Sequence, residues 1–210
     1  SGLDGRVINA GVERYKDLNQ RHLEHLESRS VDEETIYLKV RTVQSRIEVA
    51  QAARTRIFRG GDPQTLSPEN VVEPGYVAQR FSLDISPAQD VTIEKIVGLS
   101  ASRDGGISEC GLQARKCAQN AGDFSHLMNI HMLEWKHFWQ RFAVEFEHKQ
   151  QPDNKECTEI VLHLHIFHML QTTSTNTMDI DTGVPSRGWH GEAYRGHILW
   201  DELFIFPLLN

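Results

Sequence analysis

The pattern of apolar residues changes near residue 100, and this change limits the fold to a mixture of sheet and helix. Before it, segments 35–43, 46–50, 76–85 and 91–100 alternate apolar with polar residues and are rich in β-branched side chains. Turn sequences separate them, notably Gly60–Pro63 and Ser67–Asn70. Short alternating strands between such turns indicate an antiparallel β-sandwich. In one strand the alternation marks four residues for burial: Val77, Phe81, Leu83 and Ile85.

After residue 106 the apolar residues recur at the period of a helix. Ser108 is the expected N-cap, and Gly122-Asp123 is the expected break between two helices. The apolar stripe is interrupted by one histidine, and we expect it to face the core. Its members are Cys117, Ala121, Phe124, Met128, His131, Trp135, Phe138 and Phe142.

A boundary loop is expected at 150–154, where Pro152 should end the preceding helix. A further helix is predicted from Cys157 to about Thr172, with four residues buried: Ile160, Leu164, Phe167 and Leu170. A loop should follow, and then a second helix from about Gly196.

Composition excludes several classes of protein. The 210 residues carry a formal charge of −7, and their 22 Lys and Arg are scattered among 29 Asp and Glu, which argues against nucleic-acid binding. The sequence has no apolar run long enough to span a bilayer and no signal peptide. Three cysteines without metal-ligand spacing favour a reducing cytoplasm, and we expect all three to be packing residues. The start at Ser-Gly favours a piece of a longer protein.

Three of the eleven histidines fall in the segment 163–168. His165 and His168 are three residues apart, close enough on one helix face to share a metal ion. However, no His-Glu-x-x-His pattern and no neighbouring carboxylate completes a site. We therefore predict structural histidines and no metal.

The segment 184–207 combines flat aromatic faces with carboxylates. Trp189, Tyr194 and Trp200 could stack on the C–H face of a sugar, while Glu192, Asp201 and Glu202 could accept hydrogen bonds from its hydroxyls. A glycine-bent connection whose aromatic residues simply pack is the structural alternative. Because glycosidases use paired carboxylates, Asp201 with Glu192 is one arrangement for an acid and a base.

The run Gly-x-x-Gly-Glu-x-Tyr-x-Gly-His-x-x-Trp-Asp-Glu, from Gly188 to Glu202, resembles the signature of glycoside hydrolase family 65. Residues 4–15, the region of Trp135 and Trp139, and residues 164–171 resemble the same family in the same order. The resemblance implies an α+β chain in three parts: an N-terminal β-sandwich portion at 1–106, a helical linker at 107–149, and the first helices of an (α/α)6 barrel at 150–210. Most of that barrel would be missing.

The family contains maltose, trehalose and kojibiose phosphorylases and related trehalose hydrolases. The resemblance therefore implies inverting cleavage of an α-linked glucose disaccharide, with phosphate or water as the attacking group and no cofactor or metal. Trp200 and Asp201 would hold the glucosyl unit, while Glu192, Tyr194 and His197 would shape the loop around them. The family's general acid lies farther along the barrel, so no catalytic residue is expected here, and we expect the chain alone to be inactive.

Two positions depart from the commoner family pattern. Leu199 stands where phenylalanine often precedes Trp-Asp, which affects local packing. Glu202 follows Asp201 directly, whereas the commoner pattern has one residue between them, so a supporting role carried over to Glu202 is weak.

Three questions stay open at this stage. A non-catalytic module for carbohydrate binding or assembly is the alternative function. Phosphorolysis and hydrolysis are not distinguished, because the deciding residues would lie downstream. Family phosphorylases are often dimers, which makes a homodimer one alternative for the oligomeric state.

Overall fold

A computed structural model describes residues 22–145, 152–172, 182–184, 194, 196–200 and 202–204, with side chains of the third helix described from Thr158 onward. The chain divides into two compact units, Ser1–Asn129 and Ile130–Asn210, and each is described by itself. The predicted three-part division into 1–106, 107–149 and 150–210 stays a prediction.

The first unit is built on an antiparallel five-stranded sheet. Strands β1 (Leu23–Ser30), β2 (Thr35–Thr42) and β3 (Glu48–Arg59) form a meander, and β7 (Val91–Ala101) pairs with the other side of β3. The short β4 (Asp62–Gln64) pairs with the end of β3. Strands β5 (Glu69–Glu73) and β6 (Tyr76–Arg80) form a separate hairpin. The sheet-rich, antiparallel N-terminal part is thus confirmed.

Helix α1 (Cys110–Asn120) covers one face of this sheet. Its buried residues Cys110, Ala114 and Ala118 pack against Tyr37 on β2 and against Ala50 and Ala52 on β3. Gly98 on β7 brings the sheet and helix together, because a Cβ at this position would lie 2.8 Å from Ala118 N and even closer to Ala114 O. Small residues on both elements therefore set a close helix-to-sheet distance.

The β5–β6 hairpin covers part of the opposite face. Val77 of β6 is buried against residues of β2 and β3, namely Ile36, Leu38, Val40 and Ala53. On β7 the side chains of this same face are exposed: Ile93 by 61%, Val97 by 46% and Leu99 by 66%. The second layer thus covers the β1–β2 side of the sheet in the described residues.

The prediction for the segment 76–85 was right at Val77 and wrong at Ile85. Strand β6 ends at Arg80, and Ile85 is 61% exposed in the following loop. Phe81 and Leu83 are half-buried. Pairing between β5 and β6 stops at Glu69↔Arg80, but the apolar alternation of the sequence continues past that point. The alternation therefore does not show where the strand ends.

The helical region also differs in detail from the sequence prediction. The break at Gly122-Asp123 is confirmed, since α1 ends at Asn120 and α2 spans Phe124–Phe142. The N-cap of α1 is Glu109, one residue after the predicted Ser108, and its carboxylate accepts from the backbone N–H groups of Gly111 and Leu112. A glutamate in extended conformation can satisfy the free N–H groups of a first turn as a serine would.

The prediction of a core-facing stripe was wrong for α2 and for Cys117. No residue of Phe124–Phe142 is buried, and Phe124 and Met128 are 56% and 40% exposed. Cys117 is exposed, whereas Cys110 is buried. Apolar periodicity marks a face suited to burial but does not supply the surface that buries it.

Helix α3 spans Pro152–Thr172, so Pro152 begins this helix and does not end the previous one. Leu170 is buried as predicted, but Ile160 and Leu164 are 66% and 50% exposed. Phe167 lies 4.7 Å from Trp135, centroid to centroid, within the second unit. In the described residues, no helix is both long enough and apolar enough to cross a membrane.

Candidate functional site

The predicted sugar-binding segment is described at some of its positions. Trp200, Tyr194, His197 and Glu202 are placed, whereas Glu192 and Asp201 lie outside the described residues. Residues 202–204 are helical, so the helix predicted from about Gly196 begins later within the described residues. All of these residues belong to the second unit.

Trp200 lies on a turn with its side chain in solvent. Its exposure is 73%, and its ring contacts Phe204 edge-on, with 5.9 Å between centroids and 89° between planes. Two successive backbone bonds form the turn: Glu202 N donates to Leu199 O at 3.1 Å, and Leu203 N donates to Trp200 O at 3.2 Å. One face of an indole held in this way is open for stacking.

Tyr194 and His197 form a second turn before the first. The backbone N–H of His197 donates to Tyr194 O at 3.1 Å, and the two rings meet nearly at right angles, 6.3 Å apart. Tyr194 has φ 56°, an unusual value for a residue other than glycine. Its side chain is 62% exposed. The structure therefore places Tyr194 and His197 together as neighbours.

Glu202 differs from its neighbours because it is buried. Its exposure is 8%, while Leu203 and Phe204 are 76% and 67% exposed. Its Oε1 accepts two backbone hydrogen bonds, from Val184 N at 3.0 Å and from Leu199 N at 3.3 Å. The carboxylate thus joins the Trp200 turn to a segment that precedes it in the sequence.

Gly183 allows this junction to form. It makes an isolated antiparallel bridge with Gly196, in which Gly183 N lies 3.4 Å from Gly196 O. A Cβ on Gly183 would collide with the carbonyl of His197 and with Oε1 of Glu202. Glycine at 183 therefore lets two backbone segments and the carboxylate approach one another.

The described histidines of α3 make local contacts. Nε2 of His163 lies 3.0 Å from Val144 O, and the His163 ring is 5.3 Å from that of Trp139. Nδ1 of His168 is 3.3 Å from Gln171 Oε1, and His165 is exposed. The structural role predicted for these histidines stays a prediction.

One group of potential metal ligands occurs in the described residues, and an ammonium group pairs with both of its carboxylates. Glu48, Glu109 and Cys110 present ligand atoms within 4.8 Å of one another. Nζ of Lys39 lies 2.6 Å from Glu48 Oε2 and 2.8 Å from Glu109 Oε1. The lysine thus forms an ion pair with each carboxylate, so the three charged side chains make an ion-pair network.

The titration behaviour of this network follows from its contacts. The hydrogen bond from Lys39, assisted by the N–H groups of Gly111 and Leu112, lowers the pKa of Glu109 to about 2. Burial opposes the charge on Lys39, but hydrogen bonds to Glu109 and Glu48 outweigh it and raise the pKa of the lysine. Burial also raises the pKa of the Cys110 thiol. A protonated thiol is a poor metal ligand.

Comparison with family models now identifies the chain's relatives. Residues 1–138 match the model described as glycosyl hydrolase family 65, N-terminal domain. Residues 163–210 match the family 65 central catalytic domain. The chain belongs to glycosyl hydrolase family 65. The second match includes every position of the Trp200 site described above.

Similarity to individual family 65 proteins extends over nearly the whole chain. An uncharacterised glycosyl hydrolase of Mycobacterium tuberculosis is 36% identical over 211 residues, 99% of this chain and 15% of the relative. A trehalose 6-phosphate phosphorylase of Lactococcus lactis is 26% identical, covering 97% of this chain and 24% of the relative. A kojibiose phosphorylase of Thermoanaerobacter brockii is 22% identical, covering 98% and 26%. The chain therefore spans about a quarter or less of the length of these family 65 relatives.

Two features of this family 65 chain were missed by sequence reasoning. The sequence predicts only a weak supporting role for Glu202, and no sequence pattern marks Gly183. The signal for Glu202 is its position three residues after Leu199, where a glutamate can reach back to the N–H group that begins a helical turn. The partner at Val184 carries no comparable signal, because the contact depends on tertiary structure.

Proposed function

We propose that this chain is the N-terminal part of an inverting family 65 enzyme that cleaves α-linked glucose disaccharides. The observation that carries the proposal is the open indole of Trp200, on a braced turn within the segment that matches the central catalytic domain. An exposed tryptophan beside a carboxylate is suited to a sugar ring, whose apolar face stacks while its hydroxyls donate hydrogen bonds.

The proposed substrate-binding residues are Trp200 and Asp201. Trp200 would form one wall of the pocket for the glucosyl unit, and Asp201 would accept hydrogen bonds from its hydroxyls. Each such bond to a charged acceptor contributes about 1.5–3 kcal/mol. The names of the relatives, trehalose 6-phosphate phosphorylase and kojibiose phosphorylase, support an α-glucoside as substrate.

The proposed reaction is a single displacement. A glutamic acid in the remainder of the barrel would protonate the glycosidic oxygen as its bond to the anomeric carbon breaks. Inorganic phosphate would form the new bond from the opposite face, giving glucose 1-phosphate and the free second sugar. In a hydrolase, water deprotonated by a base would replace phosphate. Because the acid would lie outside this chain, the 210 residues alone should be inactive.

Activity of the full-length gene product tests the proposal. The purified protein would be incubated with trehalose, maltose, kojibiose and trehalose 6-phosphate, with and without phosphate, and glucose 1-phosphate and glucose would be measured. Product that requires phosphate would establish a phosphorylase and its linkage. Free glucose without phosphate would establish a hydrolase. A folded full-length protein that binds a disaccharide without cleaving it would support the non-catalytic alternative.

Variants of the same protein test the roles of the two residues. Trp200→Ala and Asp201→Asn should each lower kcat/KM by about tenfold or more, since each removes contacts worth more than 1.4 kcal/mol. Ile198→Ala is the matched control, because Ile198 is 68% exposed in the same segment. Wild-type kinetics in both Trp200→Ala and Asp201→Asn would exclude this pocket.

A further inference from the structure

The burial of Glu202 requires a structural explanation. A carboxylate removed from water is costly unless hydrogen bonds replace those it loses. Here Oε1 accepts from two backbone donors, Val184 N at 3.0 Å and Leu199 N at 3.3 Å, in a side chain that is 8% exposed. The cost of burial is offset by two bonds to a charged acceptor, which are stronger than neutral ones.

The two donors lie on different segments. Leu199 begins the turn that carries Trp200, since its carbonyl accepts from Glu202 N at 3.1 Å. Val184 follows Gly183, which forms an isolated bridge with Gly196, a residue that precedes that turn. Oε1 of Glu202 therefore binds both the Gly183-Val184 segment and the start of the Trp200 turn. Trp200 lies in the sequence between Leu199 and Glu202, which are themselves joined by this contact.

We propose that Glu202 is a positioning residue for substrate binding: its carboxylate oxygen locks the Trp200 turn against Gly183-Val184 and so fixes the direction of the indole. This role rests on the proposed function of Trp200 and Asp201. The sequence departure at Glu202, which directly follows Asp201, thus has a structural purpose: it places a hydrogen-bond acceptor beneath the turn.

The geometry separates a positioning role from a catalytic one. Both bonds go to Oε1, which a glutamine can supply as its amide oxygen, because an amide carbonyl has two lone pairs. A positioning residue thus needs the oxygen and not the negative charge. A general base or acid needs the ionisable group, which glutamine lacks.

The experiment compares Glu202→Gln with Glu202→Leu in the full-length protein. Leucine has a similar volume but no acceptor. Glu202→Gln should retain kcat/KM within about threefold, whereas Glu202→Leu should lower it by about a hundredfold, since small displacements of a positioning group have effects of that size. Glu134→Leu, at an exposed position of α2, is the matched control and should behave as wild type.

A second readout needs no substrate and separates the two proposals. Amide hydrogen exchange at Val184 and Leu199 should be slow in the wild type and in Glu202→Gln, and fast in Glu202→Leu. The wild-type protein could cleave no disaccharide while the three proteins still show this exchange pattern. In that case the proposed function fails, but the positioning contact of Glu202 with Val184 and Leu199 is retained. Slow exchange in a folded Glu202→Leu, or equal loss of kcat/KM in the glutamine and leucine variants, would overturn the positioning role.

Discussion

Arg54 and Glu94 hold the two sides of the junction between α1 and α2. Arg54 on β3 donates from Nη1 to Gln119 O at 2.7 Å, and from Nη2 to Gly122 O, so it binds the end of α1. Glu94 on β7 accepts from Phe124 N at 2.7 Å, so it binds the start of α2. The two side chains are 4% and 8% exposed, with 4.0 Å between Nη2 and Oε1. Opposite charges thus complement the two helix ends that meet there.

Removal of Arg54 should therefore be strongly destabilising. Arg54→Met leaves Glu94 buried without its cation and leaves two carbonyls without a donor, which we expect to lower the free energy of unfolding by about 3–5 kcal/mol. Urea denaturation followed by circular dichroism measures the change.

Arg56→Met is the matched control for Arg54→Met on the same strand. Arg56 pairs with Glu34 at 3.1 Å, but the two side chains are 38% and 51% exposed, so the expected loss is below about 1 kcal/mol. Equal effects of Arg54→Met and Arg56→Met would contradict the bracing role of the buried pair.

Gly98→Ala should separate α1 from the sheet. The added Cβ would collide with the backbone of Ala114 and lie 2.8 Å from Ala118 N, neither of which is a flexible side-chain end. We expect a loss of about 1–3 kcal/mol or more, as for other overpacked sites. Gly106→Ala has open space around its Cβ but a φ of 72°, so its cost should be about 1 kcal/mol from backbone strain alone. A thermal unfolding midpoint that falls less in Gly98→Ala than in Gly106→Ala would argue against the close contact.

The network of Lys39 with Glu109 should stabilise the fold in a defined pH range. The pKa of Glu109 is about 2 in the folded chain against an ordinary value of 4.5, so the charged carboxylate stabilises above pH 4.5, and this benefit is lost as pH falls towards 2. Glu109→Gln should thus be less stable than wild type at pH 7, with most of the difference lost by pH 2. Because Glu109 is 44% exposed, the difference should stay below about 1 kcal/mol. Urea titrations of both proteins across this range test it, and a difference as large at pH 2 as at pH 7 would point to another cause.

Gly183→Ala should disturb the Trp200 turn without replacing any charged residue. Its Cβ would collide with His197 O and Glu202 Oε1, so the bridge to Gly196 should open. We expect faster amide exchange at Val184 and Leu199, and in the full-length enzyme a kcat/KM that falls by about tenfold or more. Val184→Ala keeps the backbone N–H that binds Glu202 and is the control. Unchanged exchange in Gly183→Ala would mean that the segments are less closely packed than described.

For the first unit, sequence patterns predicted which strands and helices form better than they predicted the residues where each begins and ends. β-branched alternation located β2 and β7, but only the start of β3 was recognised, because Arg54, Thr55 and Arg56 make its second half appear polar. Arg54 is buried there through contacts with the α1–α2 junction, which no local pattern contains. Strand β1 also escapes prediction, since its sequence LEHLESRS is largely polar and its residues are half-buried or exposed.

At the candidate site, the motif located the segment but not its internal contacts. The resemblance selected Trp200, Tyr194, His197 and Glu202, and the structure places these residues on two successive turns. The burial of Glu202 could not be predicted, because it depends on a donor at Val184, eighteen residues away. A sequence pattern records residue types along the chain, whereas the solvation of a carboxylate depends on which distant backbone groups meet it.

The position of β7 determines the order in which the first unit can assemble. Strands β1, β2 and β3 are joined by short turns, so this meander can form early from neighbouring parts of the chain. The ladder from Val49↔Ala101 to Arg59↔Val91 forms only when the chain that contains β4, β5 and β6 has closed into a loop. Because loop closure costs entropy before the new pairs compensate for it, β7 should join late and bring α1 with it. Until then the face of the meander that α1 covers, which includes Tyr37 and Ala52, stays exposed to water. The refolding rate should therefore depend more on the docking of β7 and α1 than on the formation of the β1–β2 and β5–β6 hairpins.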